Sequence, residues 1–217
     1  MNIIQRVYRH YRHRIWLYFK NKRNKAYRKR YTNSDVSIIS MNCTGGILYH
    51  DLGLKFLSPT VNLFMRAEHF IKFCENLEHY LSIDEFRPCT DKEIIGERKY
   101  PIVYLDDLLL FLVHYHNGIG DAQAKWNERK KRINWEKICI VNTDREGMTS
   151  ELKDRFEKLP YPKVMFCHKP DKEHKSCFCI DGYENDSQVG IITNDEGWTG
   201  LRPIDQFDWV NFLNNVQ

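Results

Sequence analysis

A chain of 217 residues with 42% hydrophobic and 13% aromatic side chains holds enough apolar material for one domain with a full core, and its composition excludes a disordered segment. No apolar run approaches the roughly 18 residues that span a bilayer, and no uninterrupted apolar stretch follows the basic start as a secretory signal requires. Seven cysteines, an odd number at irregular spacing, point to reduced thiols in a cytoplasmic setting and not to a disulfide framework.

The formal charge of +4 conceals two regions of opposite sign. Residues 1–31 hold eleven Lys and Arg and no acid, which leaves 22 cationic side chains against 29 acidic ones in the remainder. Ile3, Ile4, Val7, Tyr8, Tyr11, Ile15, Tyr18 and Phe19 recur close to helical spacing, and Arg6, Arg9, Arg12, Arg14, Lys20, Lys22 and Arg23 fall between them. The pattern predicts a basic amphipathic helix and linker over 1–31, with the basic run 20–31 as the linker, ahead of a single domain over 32–217. An aliphatic-aromatic face between cationic flanks suits an anionic membrane surface, where each basic side chain adds about 1 kcal/mol. A helix packed on the domain with its charges solvated is the alternative. Eleven cations would also hold phosphates non-specifically. The acidic remainder carries no base-reading motif, so no specific nucleic-acid partner is expected.

Along the chain, Val36 to Ser40 reads as a strand, Asn42 to Gly46 as a turn, and Ile47 to Leu52 as a helix ending near Gly53. Val61 to Met65 is a short strand or its lead-in, and Ala67 to Leu81 an amphipathic helix with Phe70, Phe73, Cys74 and Leu77 on one face. Ile102 to Tyr104 and Leu108 to Val113 read as strands, the second apolar throughout and so buried on both faces. A charged helix over Asp121 to Arg132, a strand over Lys137 to Asn142, a helix over Ser150 to Leu159 and a strand over Lys163 to Cys167 follow. Ser176 to Gly182 and Val189 to Thr193 form a candidate edge hairpin, and Ile204 to Asn214 a last helix. This alternation predicts an α/β fold of three layers with a central mixed sheet.

Cys43 is the leading candidate for chemistry. It follows an apolar strand and precedes Thr44, Gly45 and Gly46 at the start of a helix, where backbone N–H groups and the helix dipole favour negative charge. A thiol there is expected to be acidic, with Asn42, Thr44 and the two glycines around a bound anion. The plain alternative is a core thiol at a strand end. A thiol nucleophile needs a base, and His114 closes the run Leu108 to Val113, at a strand end that would join Cys43 if the two strands ran parallel. Asp106, Asp107 and Asp144 are candidates to orient its ring. His50 is a weaker partner, two turns along the helix that Cys43 opens. Trp126, Arg129 and Arg132 share a helix, so the arginines are candidates to clamp an anion and the indole to stack on a sugar or nucleotide. A solvated helix face with one packed tryptophan explains them equally. Cys167, His168, His174, Cys177 and Cys179 lie close together, but Cys-Phe-Cys is not the usual two-residue ligand spacing and alternation separates Cys167 from His168, so no metal is expected.

Ser37 to Leu54, centred on Asn42-Cys43-Thr44-Gly45-Gly46, resembles a bacterial domain family of unknown function whose members are commonly labelled exopolysaccharide biosynthesis proteins. The resemblance continues through Phe56, Ser58-Pro59-Thr60, Asn62-Leu63-Phe64 and His114-Tyr115, then Trp126, Arg129 and Arg132-Ile133-Asn134. It closes with Thr143-Asp144-Arg145-Glu146-Gly147 and Phe207 to Asn214, and so spans roughly residues 35–215. Members usually carry a tryptophan after the cysteine, where this chain has Thr44. More distantly, the layout is similar to papain-like cysteine peptidases and to sugar acetyltransferases of capsule clusters. The resemblance implies a transferase of bacterial exopolysaccharide or capsule assembly, moving an acyl group to a sugar or lipid-linked sugar, peripheral at the cytoplasmic face of the inner membrane. An acyl-CoA or a sugar nucleotide is the expected donor. The alternatives are a non-catalytic, membrane-associated binding or regulatory module of the same assembly and a papain-like cysteine hydrolase.

Overall fold

The computed structural model describes residues 3–194 and 199–217; the side chains of Ile3, Ile4 and Val7 lie outside the described residues. Helix α1 runs Ile3–Arg30, β1 is Ser37–Ser40 and α2 is Thr44–Leu52. Two short helices, α3 (Ala67–Glu75) and α4 (Leu77–Ser82), lead to β2 (Arg87–Pro88), α5 (Lys92–Ile95), β3 (Ile102–Leu105) and β4 (Leu108–Phe111). Then come α6 (Ile119–Lys130), β5 (Ile138–Thr143), α7 (Ser150–Glu157), β6 (Lys163–Cys167), β7 (Cys177–Cys179) and α8 (Trp209–Asn214).

The main sheet has the order β1-β5-β6-β7, and each neighbouring pair is parallel. Its strands are short apolar runs because both faces are covered. Ile39, Ile140 and Met165 point to one face and meet Phe70 and Phe73 of α3, Trp126 of α6 and Phe156 of α7. Ile38, Val141 and Phe166, one residue out of step, point to the other and meet Leu48 and Tyr49 of α2 and Trp209 and Leu213 of α8. The period-two alternation of β-structure thus divides the core into two and gives the three α/β/α layers. Tyr49 ties α2 to β1: its hydroxyl donates to Val36 O at 2.9 Å and accepts from Ile38 N–H at 2.8 Å. The free edge of β1 is covered where Ser40 N–H donates to Thr60 Oγ1 at 3.0 Å.

Antiparallel pairing is present as well, but in a second sheet, β2-β3-β4, with a small core of Cys89, Ile102, Leu109 and Phe111. The expected strand over Val61 to Met65 is a single bridge between Phe64 and Phe111. The amphipathic stretch 67–81 is two helices, broken at Asn76, whose φ of −135° and ψ of 45° leave the helical region. The expected edge hairpin does not form: β7 pairs in parallel with β6, and residues 189–193 contain no strand. Val189 and Ile192 are instead buried in the core beneath α2 and α8.

No separate linker covers 20–31, because α1 is continuous to Arg30 and its last turns dock on the domain. Asn24 Nδ2 donates to Asp51 Oδ1 at 3.0 Å, Tyr27 Oη to Asp205 Oδ1 at 2.8 Å, and Arg28 Nε to Asp51 O at 2.8 Å. Tyr27 also packs edge-on against Trp209 of α8. At about 1.5 Å per residue α1 is about 42 Å long, and Tyr8, Tyr11, Ile15, Leu17, Tyr18 and Phe19, on the half ahead of the docked turns, are exposed. Among the described residues no helix is long and apolar enough to cross a membrane.

Candidate functional site

The chain turns at Met41, Asn42 and Cys43 between the carboxyl end of β1 and the start of α2. Asn42 closes that turn, since its Oδ1 accepts the Thr44 N–H at 3.0 Å and the Thr44 hydroxyl at 2.6 Å. One of the first-turn amides expected to face a ligand is therefore held by a side chain. Cys43 occupies the N-cap position in the right-handed helical region, and its carbonyl accepts from Ile47 N–H at 3.1 Å.

The acidic thiol expected at this place is not what the environment gives. Burial of the half-covered Cys43 side chain raises its pKa, and the opposing hydrogen bond from its own backbone N–H does not compensate. Burial withdraws water from the thiolate and so disfavours it. The glycines next to it also serve packing. A Cβ on Gly45 would stand 2.9 Å from Ser40 Cβ, and one on Gly46 would stand 3.0 Å from Val61 Cγ1. The two residues let α2 lie close on β1 and on the Val61 segment. Gly45 faces the strand, while Gly46 still reaches a cavity wall.

Two cavities meet at this turn. The first, about 410 Å³, has apolar walls from Met41, Ile47, Phe64, Val113 and Ile191, with Asn42, Thr44, Thr143, Arg145 and Glu146 as polar groups. The second, about 460 Å³, is bordered by Lys20, Arg23, His50, Asp51 and Arg202, with Phe56, Val61 and Asn62. Cys43, Ile47, His114 and Thr193 line both. Cys43 and His114 therefore do share one cleft, though not by the expected route. β4 belongs to the antiparallel sheet, so His114 arrives from beside the main sheet and is held by its N–H donating to Asn62 O at 3.3 Å. Its exposed ring has no hydrogen-bond partner among the described residues.

None of the three acids considered as orienters reaches that ring. Asp106 faces His79, Asp107 pairs with Lys72 and Tyr80, and Asp144 holds the His168 ring and the Val189 N–H. His50 is exposed on α2 at the rim of the second cavity.

Trp126 and Arg129 of α6, and Arg132, which falls in the turn just past the end of that helix, line neither cavity. Trp126 is fully buried against Phe73 and Phe86, which rules out stacking on a ligand. Arg129 is buried, with Nη1 donating to Tyr115 Oη at 3.0 Å and its guanidinium 5.1 Å from the Phe56 ring centre. Arg132 pairs with Glu128 and reaches Phe56 O at 3.3 Å. The two arginines brace the wall of the second cavity from behind, through Tyr115, Val61 and Phe56.

Sequence reasoning missed Thr143, Arg145 and Glu146 after β5, the 190–194 loop, and the cations Lys20, Arg23 and Arg202. Thr143, Arg145 and Glu146 were visible as a strand end followed by Asp-Arg-Glu-Gly. The cations carried no local signal. Arg202 is held between Asp51 and Asp205, which together outweigh the burial that opposes its charge and raise its pKa. Two residues other than glycine with positive φ border the cavities, Asn62 at 68° and Glu146 at 58°. Such backbone is tolerated where a site fixes it.

A parallel sheet covered on both faces, with two cavities beside the turn that follows β1, is an α/β architecture whose crevice lies at the carboxyl ends of its strands. This chain belongs to the family described as "Domain of unknown function (DUF1919)", which it matches over residues 15–214, a span that starts within α1. A relative from Haemophilus influenzae, described as "Uncharacterized protein", is 36% identical over 194 residues, covering 89% of this chain and 91% of its own length.

Proposed function

We propose that the chain is a group-transfer enzyme of bacterial exopolysaccharide or capsule assembly, moving an acyl group on a sugar carried by a lipid phosphate at the inner membrane surface. The observation behind this reading is the meeting, at one thiol and one imidazole, of an apolar cavity and a polar one bordered by Lys20 and by Arg23 and Arg202, the two arginines paired with Asp51 and Asp205. An amphiphilic substrate would set its chain in the first and its phosphate in the second, with the reacting bond near Cys43 and His114. Lys20 and Arg23 belong to the helix that projects Tyr8, Tyr11, Ile15, Tyr18 and Phe19, so a membrane-bound helix would bring the cationic cavity to the lipid surface. An acyl-CoA or sugar-nucleotide donor would use the same cations. Burial raises the Cys43 pKa, so on this reading His114 would take the thiol proton as substrate binds.

The test is the surface polysaccharide of cells carrying Cys43→Ala or His114→Ala. Loss of acyl substituents with a folded protein is expected, and an unaltered polymer in both variants removes the catalytic assignment. A second reading, a non-catalytic module that binds such a ligand, draws on the raised thiol and the unpartnered His114 ring. It predicts ligand binding and normal polymer when Cys43 is replaced. A papain-like hydrolase gains no support, since among the described residues no side chain orients His114.

A further inference from the structure

We propose that Asp171, His174 and Cys177 form a binding site for a zinc-class divalent metal, with Cys167 completing the set, and that the ion clips β7 to the body of the domain. The inference is independent of the cleft and of its reaction.

β6 and β7 are parallel neighbours joined only by residues 168–176, without a helix. Parallel neighbours ordinarily need a connection of about a dozen residues or more, because the chain must return the length of a strand. A segment this short has to be held at a fixed point. One ligand atom from each of Asp171, His174 and Cys177 gathers at that point, all within 4.8 Å of one another. The residues are spaced three apart, an interval common among zinc ligands. Donors about 2.0–2.3 Å from a tetrahedral zinc stand about 3.3–3.8 Å apart, so the closing movement required is about 1 Å.

The surroundings match what a metal-bound histidine needs. His174 is buried, with Nδ1 3.0 Å from Asp171 and Nε2 3.0 Å from Asp154 Oδ1 on α7. Nδ1 is the ligating nitrogen, and Nε2–H donates to Asp154, the carboxylate–imidazole–metal arrangement that fixes the tautomer. The Cys167 thiol on β6 donates to Met165 O at 3.7 Å and stands close enough to Cys177 to interact with it, which makes Cys167 the candidate fourth donor. Two thiolates and a carboxylate bring three negative charges against the two of the ion. Lys153 Nζ, 2.9 Å from Asp171 Oδ2, supplies the balance. On loading, the two thiol protons pass to solvent, together with the Nδ1 proton where the imidazole starts as its cation, and no redox change occurs. The sequence clusters His168 and Cys179 with these residues, but His168 is held by Asp144, and Asp171 is the ligand that a search for Cys and His overlooks.

The experiment uses the full chain, reduced and stripped with a chelator, then titrated with Co²⁺ alone and with Zn²⁺ as competitor. One Co²⁺ per chain with thiolate-to-cobalt charge transfer and tetrahedral visible bands is expected, displaced by Zn²⁺ and absent from His174→Gln. Asp154→Asn should weaken the metal about 10- to 100-fold. If His174→Gln does not fold, alkylation of the wild-type chain decides: Zn²⁺ should protect Cys177 but not Cys179, the two half-buried thiols of β7. A folded chain with no thiolate–cobalt band, a band unchanged in His174→Gln, or Cys177 labelling indifferent to Zn²⁺ would overturn the proposal.

Discussion

Cys43 stands where a helix start favours negative charge, yet burial acts in the opposite sense and prevails. At neutral pH its thiolate fraction therefore lies below that of a free cysteine. Alkylation by iodoacetamide is expected to be slower than for free cysteine at pH 7 and to keep climbing beyond pH ~9.5, where a free thiol of pKa about 8.5 levels off. Mass spectrometry of the Cys43 peptide against pH checks this, and a plateau below pH 7 would contradict it. The neighbouring glycine gives a second prediction at this scale. A methyl group on Gly45 meets Ser40 Cβ at 2.9 Å, with a strand behind it that cannot move away. Gly45→Ala should lower stability by about 1–3 kcal/mol in urea unfolding. Asp51 belongs to the same logic. Asp51 and Arg202 are each only 2% exposed, and Asp51 also receives Asn24. Removing it leaves Arg202 Nη1 and the Asn24 amide without that partner, while Asp205 still holds the other side of the guanidinium, so Asp51→Ala should cost about 1–3 kcal/mol.

At the scale of elements, α1 does two jobs along one helix. Its last turns are anchored through Asn24, Tyr27 and Arg28, while Tyr8, Tyr11, Ile15, Tyr18 and Phe19 form an exposed stripe about 100° wide. The stripe was legible in the sequence because its period is local. The anchor was not, because Asn24 and Arg28 look like solvated linker residues until Asp51 and Asp205 come near. The same division holds elsewhere. β1, β5 and β6 announce themselves as short apolar runs, but β7 pairs in parallel because of a long-range register that its three residues cannot encode. If α1 binds the membrane as proposed, the full chain should co-sediment with anionic vesicles, and replacing Tyr8, Tyr11, Tyr18 and Phe19 together by Ser should abolish this with little change in the urea midpoint. Retained vesicle binding would mean that charge alone carries the attraction.

For the whole molecule, the cleft exists only where several distant parts of the chain converge, the end of β5 and the 190–194 loop among them. The β1–α2 turn, with its Asn-Cys-Thr-Gly-Gly run, was legible in advance. The end of β4 was legible as a position but not as a direction, since nothing local says that it joins a second sheet. The cationic wall from α1 and Arg202 depends on helix docking and was invisible. What this convergence predicts is a site that reads both halves of an amphiphile. Binding of a short-chain alkyl phosphate, followed by calorimetry, should strengthen by up to about 0.8 kcal/mol for each methylene that fits the apolar cavity, roughly fourfold in affinity. Lys20→Glu should weaken it and reduce its dependence on salt, because Lys20 borders only the cationic cavity. Ile47→Asp, at the junction of the two, should weaken the alkyl phosphate far more than inorganic phosphate. An affinity indifferent to chain length, with Lys20→Glu still effective, would mean that the two cavities do not act as one site.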